Sequence, residues 1–133
     1  MTIAEVRSLL DFGMVVILWL VQLVIYPGFL TCEVSRLVEW HKTYTRRVAW
    51  VIIPIMFTQL PLVGWLTFEN GRWSDLFALI AIVACWAFTF GVSVPLHRKM
   101  DAGDTSRETL HALVATNWPR TILWSAAFCL GVL

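Results

Sequence analysis

Four apolar runs alternate with short polar segments along the chain. The first, residues 12–30, has Gln22 as its only strongly polar side chain, and the second, 48–66, carries Pro54, Gln59 and Pro61. The third, 76–96, is the cleanest, and the fourth, about 112–133, reaches Leu133. A helix needs about 20 largely apolar residues to cross about 30 Å of hydrocarbon, and each run is long enough. The start of the fourth run is blurred by Pro119, which lacks an N–H and disfavours helix at Trp118. Either a kinked helix runs through it, or Asn117 caps a new helix with Pro119 in its first turn. The first run does not read as a cleaved leader. Its flank carries Glu5, Arg7 and Asp11, its apolar stretch is long, and Tyr26-Pro27-Gly28 is no small-residue cleavage site.

Two of the three connections have helical periodicity of their own. Val34, Leu37, Val38 and His41 follow i, i+3, i+4, i+7 spacing with Thr31 as N-cap, and Thr105-x-x-Glu108 forms a capping box leading into Leu110, Leu113 and Val114. Both segments are expected to lie at the interface or to extend the following span. The remaining connection, 67–75, is a polar turn around Asn70-Gly71. The fold expected is all-α: a single transmembrane domain, residues 1–133, built as an integral membrane four-helix bundle with short amphipathic helical segments on one side.

Composition sharpens this. The chain is 59% hydrophobic and only 14% charged, with a mean hydropathy of +0.73, which excludes both a soluble globular domain and a disordered tail. A formal net charge of +1 offers nothing to nucleic acid. The three cysteines, Cys32, Cys85 and Cys129, form no CxxC and predict neither a disulfide framework nor a zinc knuckle. Arg7 and Arg72 flank one side of the spans. Arg36, Lys42, Arg46, Arg47, Arg98, Lys99, Arg107 and Arg120 flank the other. The excess of Lys and Arg marks the cytoplasmic side, so the expected location is the cell inner membrane, multi-pass, with both termini outside the cytoplasm.

All three histidines, His41, His97 and His111, fall on that basic side, close in sequence to Tyr44, Arg46, Arg47, Asn117 and Arg120. The opposite side is expected to have nothing comparable, and every acid lies outside the four runs, which argues against an ion pump or a carboxylate-bridged metal site. On a helix through 34–48, His41, Tyr44, Thr45 and Val48 share a face with Leu37, while Arg46 points away. On the fourth helix Asn117, Arg120, Thr121 and Trp124 line one stripe. An arginine within a span costs a few kcal/mol, so Arg120 needs the bundle, a partner or headgroups around it. Arg46, Arg47, Arg98 and Lys99 read as interfacial anchors, His111 sits off the stripe, and Gln22, Gln59 and Thr89 suit interhelical hydrogen bonds. The mid-span Trp19, Trp86 and Trp124 either pack or wall an apolar pocket.

The candidate site is therefore His41, Tyr44, His97, Asn117 and Arg120, and two schemes fit it. In one, His41 and His97 hold a haem or a copper ion, both suited to imidazole. In the other no cofactor is needed. The histidines act as bases, and Arg120, Asn117 and Tyr44 hold an oxyanion of a lipophilic substrate. A third reading is a non-enzymatic membrane subunit or assembly factor whose charges dock a partner. The partners expected are the lipid bilayer, a lipophilic small molecule and, for so small a bundle, a further copy of the chain.

One stretch supports the second scheme. Val94-Pro95-Leu96-His97 and Thr116-Asn117-Trp118-Pro119-Arg120-Thr121-Ile122-Leu123-Trp124, with His41-x-x-Tyr44-x-x-Arg47 upstream, resemble the Val-Pro and Asn-Trp-x-Arg-Thr-x-x-Trp pattern of the anthrone oxygenase-like family of small four-helix membrane proteins. That resemblance implies a four-helix bundle and oxidation of a lipophilic aromatic or quinone-like molecule without a conventional redox cofactor. Asn117 and Arg120 match its motif, and His97 follows its Val-Pro.

Overall fold

A computed structural model covering residues 1–133 is all-helical, with no strand. Four helices follow one another: α1 Ile3–Phe29, α2 Val34–Asn70, α3 Trp73–Asp101 and α4 Arg107–Val132. The first three are long and apolar enough to cross a membrane. α4, which carries Arg107, Glu108, His111 and Arg120, falls short by composition. Each helix packs on its sequence neighbours, and α4 closes the ring against α1. The N-terminus, the C-terminus and the α2–α3 turn share one end, here the terminal end. The other two connections share the histidine end.

All four helices begin before the apolar runs do. α1 opens at a capping box in which Thr2 Oγ1 accepts from the Glu5 amide at 3.2 Å and the Thr2 amide donates to the Glu5 carboxylate at 2.7 Å. The amphipathic segments are the opening turns of α2 and α4 rather than separate interfacial helices. At about 1.5 Å per residue, the 37 residues of α2 span roughly 55 Å, so its ends project beyond the hydrocarbon. Two expected caps move. Thr31 instead donates to the Gly28 carbonyl at 2.9 Å, leaving Glu33 as the N-cap of α2, and α4 is capped by Ser106 rather than Thr105. α4 runs through Pro119 without a new start at Asn117. Gly71, at φ 61°, supplies the left-handed residue that ends α2 and allows the tight turn into α3.

Two of the five prolines widen their helices. Pro27 and Pro95 each lack an N–H, and each ring would strike the carbonyl four residues back, at Leu23 and Gly91. Those carbonyls lie within π-helical turns, Val21–Ile25 in α1 and Thr89–Ser93 in α3. The wide turn admits the ring. Both lie toward the histidine end, and each turns a polar residue inward, Gln22 from α1 and Ser93 from α3.

Apolar packing forms three layers: Tyr26, Phe29, Leu37, Met100 and Leu113 toward the histidine end; Met14, Leu18, Met56, Cys85 and Trp124 in the middle; Val63, Ala78, Ala81, Ile82 and Ala127 toward the terminal end. Many large apolar side chains face outward, Leu23, Phe57, Phe77, Ile80 and Ile122 among them, as lipid contact requires. Hydrocarbon solvates such side chains as well as a core does, so close packing and interhelical hydrogen bonds hold the helices together. Gln22 donates to the Val114 carbonyl at 3.1 Å and accepts from Asn117 at 3.0 Å. Gln59 donates to Asp11 at 2.6 Å and accepts from Trp124 Nε1 at 3.0 Å.

The terminal end overturns an expectation. Arg7, Asp11 and Asp75 are not loop charges but a buried ion-pair network inside the helices, each 3% exposed or less. Arg7 Nε donates to Asp11 at 2.6 Å, Nη1 to Asp75 at 3.1 Å and Nη2 to the Ala127 carbonyl at 3.1 Å. Asn70 donates to the second Asp75 oxygen at 3.3 Å. The charges escape the cost of hydrocarbon by satisfying one another. The terminal end thus has a polar cluster as elaborate as the other, and two acids do lie within the helical bundle.

Candidate functional site

Four residues from three helices form an unbroken hydrogen-bond chain at the histidine end. Asp101, at the last turn of α3, bonds to His41 Nδ1 at 2.8 Å. His41 Nε2 bonds to His97 Nδ1 at 2.8 Å, and His97 Nε2 bonds to the Tyr26 hydroxyl at 2.8 Å. With Asp101 ionised, one tautomer pair satisfies every atom. His41 Nδ1–H donates to the carboxylate, His97 Nδ1–H donates to His41 Nε2, and the Tyr26 O–H donates to His97 Nε2. The chain runs from a half-exposed carboxylate, its side chain 37% accessible, through a wholly buried imidazole to a buried phenol.

Local sequence explains the placement. His97 and Asp101 are four apart on α3, so they share a face. His41 lies one turn after Leu37 on the buried stripe of α2, and Phe29 packs edge-on against it at 5.5 Å. Tyr26 follows the π-turn of α1 directly.

Beside the phenol sits a second group. Arg120 of α4 is 5% exposed; its Nη1 donates to Ser93 Oγ and to Asn117 Oδ1, each at 3.1 Å. Asn117 in turn donates to Gln22 and to Thr121 at 3.2 Å. The Arg120 Nε–H has no partner, and no carboxylate pairs with the guanidinium.

The two groups meet at a cavity of about 310 Å³ between α2 and α3, floored by α1. Tyr26, Tyr44, Ser93, His97, Asp101 and Arg120 supply its polar edge, together with Thr45, Thr89 and the exposed Arg98, and the rest of the wall is mainly aliphatic. α2 packs on α3 to either side of the π-turn Thr89–Ser93 but scarcely at it, which leaves the gap. Ile53, Phe57 and Phe90, all more than half exposed, stand at the rim, so the opening faces where lipid tails would lie. The volume is at the small end for ligand sites and suits two or three fused rings.

Of the residues expected from sequence, His41 and His97 are in contact and Asn117 and Arg120 are in contact. Tyr44 lines the cavity with His97 and Arg120, whereas His41 and Asn117 stand behind its wall. The Tyr44 ring lies 6.4 Å from that of His41 and stacks on Trp40. His111, Arg46, Arg47, Arg98 and Lys99 are exposed. Trp19, Trp86 and Trp124 do not line the cavity; Trp124 is wholly buried in the middle layer. All four imidazole nitrogens are bonded to protein groups. Neither histidine therefore presents a lone pair to iron or copper in this arrangement, and no cluster of three or more His, Cys, Asp or Glu side chains could hold a metal ion.

Sequence reasoning missed Tyr26, Asp101 and Ser93, whereas Gln22 makes the interhelical hydrogen bonds expected of it. The signals were present: the i, i+4 spacing of His97 and Asp101, a proline directly after Tyr26 and another two residues before His97. The site thus defines a helical membrane bundle with a buried hydrogen-bonded chain of ionisable side chains beside a mainly apolar cavity. No family model, no curated protein and no solved structure matches the chain.

Proposed function

We propose that the protein is a membrane oxidoreductase that ionises a lipophilic aromatic or quinone-like molecule and commits it to oxidation by dioxygen. The observation that carries the reading is the relay: Asp101, His41, His97 and Tyr26 end at an apolar cavity beside a guanidinium without a counter-ion. A relay of this kind takes up a proton at its buried end and passes it toward water, while Arg120 receives the charge that develops on the ligand. For an aryl ketone with an acidic methylene, the kind of substrate the family resemblance implies, the steps balance. Tyr26 and His97 relay one methylene proton to the Asp101 end, and the electron pair of the C–H bond stays on the ligand as an enolate whose oxygen faces Arg120. Dioxygen adds at that carbon, the proton returns to give a hydroperoxide, and loss of water leaves a second carbonyl. Ketone and dioxygen become quinone and water.

In the same reading the histidine end faces the cytoplasm, since seven of the ten Lys and Arg residues (Arg36, Lys42, Arg46, Arg47, Arg98, Lys99 and Arg107) flank it, and both termini lie outside the cytoplasm. The exposed Cys32 at the histidine end should then resist an impermeant thiol reagent in intact cells. The enzymatic test is oxygen uptake and quinone absorbance with anthrone, using protein in lipid nanodiscs. Turnover should fall about 100-fold or more in Tyr26→Phe and in Asp101→Asn, within the usual range for general acid–base groups. Turnover unchanged in both variants, or none by the unaltered protein with any anthrone-type ketone, overturns the reading.

A further inference from the structure

The bundle buries two arginines and treats them differently. Arg7 meets two carboxylates and a carbonyl. Arg120, nearly as enclosed, donates to the neutral oxygens of Ser93 and Asn117 beside the Tyr26 hydroxyl, keeps an unpartnered Nε–H, and lines the cavity. A guanidinium out of water without a negative partner is strongly disfavoured, and no carboxylate stands within 4.0 Å of this one, Asp101 being bonded to His41 at the far end of the relay. Resting on the reading of the cavity as a ligand site, we infer that the missing counter-charge belongs to the ligand: the cavity holds a lipophilic monoanion, a planar phenolate or enolate, as its stable bound state.

The relay explains how an anion arrives there from a bilayer. Only the neutral acid partitions readily into hydrocarbon and passes the apolar rim at Ile53, Phe57 and Phe90. Once inside, its O–H proton moves to the relay and toward Asp101. The phenolate or enolate oxygen stays against Arg120, and the aromatic body lies between α2 and α3. The O–H bond breaks heterolytically, the pair remains on oxygen, and nothing is oxidised in this step. Neutral isosteres, with no charge to give the guanidinium, bind poorly.

The test uses 4-nitro-1-naphthol, whose anion is coloured, and its methyl ether, with the protein in nanodiscs. The apparent pKa of the bound dye should fall by at least one unit relative to empty nanodiscs, and the ether should bind at least tenfold more weakly. In Arg120→Gln the fall should vanish, whereas Arg120→Lys should keep most of it. The comparison of dye with ether on the unaltered protein stands even where a variant does not fold. An unshifted or raised pKa, or equal binding of dye and ether, overturns the inference. No oxygen is read in this assay. Dye held as its anion by a protein that never consumes oxygen sinks the enzymatic reading alone. Oxygen uptake by a protein that binds dye and ether alike sinks this one alone.

Discussion

Replacing Gly131 with alanine should destabilise the protein, against the ordinary rule for helices. Helix propensity favours Ala over Gly by up to about 1 kcal/mol. Gly131, however, lies in the last turn of α4 directly over the Arg7 guanidinium, and a Cβ there would stand 2.6 Å from both Nη atoms. The guanidinium has nowhere to go. It is held by Asp11, Asp75 and the Ala127 carbonyl, with Arg7 1% and Asp11 0% exposed. Displacing it leaves buried carboxylates without their partner, a loss of about 3–5 kcal/mol for a broken buried pair. After subtracting the propensity gain, Gly131→Ala should cost about 2–4 kcal/mol. Gly64, with nothing within 4 Å of its added Cβ, is the control and should tolerate alanine without loss. The measurement is reversible unfolding in mixed micelles, followed by circular dichroism, for each single variant and for Gly131→Ala in an Arg7→Ala background. In that background the penalty should largely disappear, since the group struck is gone. A Gly131→Ala protein as stable as the unaltered one, or an equal loss with Arg7 already removed, refutes the reasoning.

Two further outcomes follow from single contacts. Trp124→Phe removes the only donor to the buried Gln59 Oε1 and should cost about 1–3 kcal/mol in the same assay, the usual penalty for an orphaned buried acceptor. In the α3–α4 connection, the Thr109 hydroxyl, bonded to Asp104 at 2.7 Å, and then the Ser106 groups hold the Asp104 carboxyl at about 2, below its ordinary 3.8. Because the folded value is depressed, the contribution of Asp104 is complete above about pH 4 and is lost as pH falls toward 2. Amide exchange across residues 101–107, corrected for intrinsic pH dependence, should rise over that window and be pH-independent in Asp104→Asn.

The helices were legible in the sequence wherever lipid faces them, because outward apolar residues are what a run of hydropathy measures. Their true starts were not, because Arg7, Asp11 and Asp75 look like loop residues until the fold pairs them. Hydropathy prices each charge as though it stood alone. At the site, the stripe of Asn117, Arg120, Thr121 and Trp124 and the face of His41 with Leu37 followed from helical spacing, and all of these side chains are buried. The contact between His41 and His97 joins residues 56 apart on different helices, and no local pattern specifies it. Tyr26 stayed hidden for another reason. The π-turn before it changes the helical phase, so a face drawn at 3.6 residues per turn from the middle of α1 misplaces it.

The two polar networks are also insulated from each other, and that fixes what the bundle can do with a proton. Between them lies the middle layer of Met14, Leu18, Met56, Cys85 and Trp124. The one polar atom of Trp124, its indole N–H, points to Gln59 on the terminal side, and an indole has no acceptor to continue a chain. A proton leaving Tyr26 therefore has an outlet through His97 and His41 to Asp101 and none toward Asp11. Under the proposed function the bundle would exchange protons at the histidine end alone, while the ion pairs of Arg7 at the other end hold the helices together. The two arginines divide accordingly: the Arg7 guanidinium is paired with two carboxylates, while Arg120 has no carboxylate partner and keeps its Nε–H open. Perturbations at the two ends should accordingly add without coupling. Gly131→Ala should lower stability while the depressed pKa of bound 4-nitro-1-naphthol stays where it is in the unaltered protein. A shift in that pKa with Gly131→Ala would mean that the middle layer transmits what its composition says it should block.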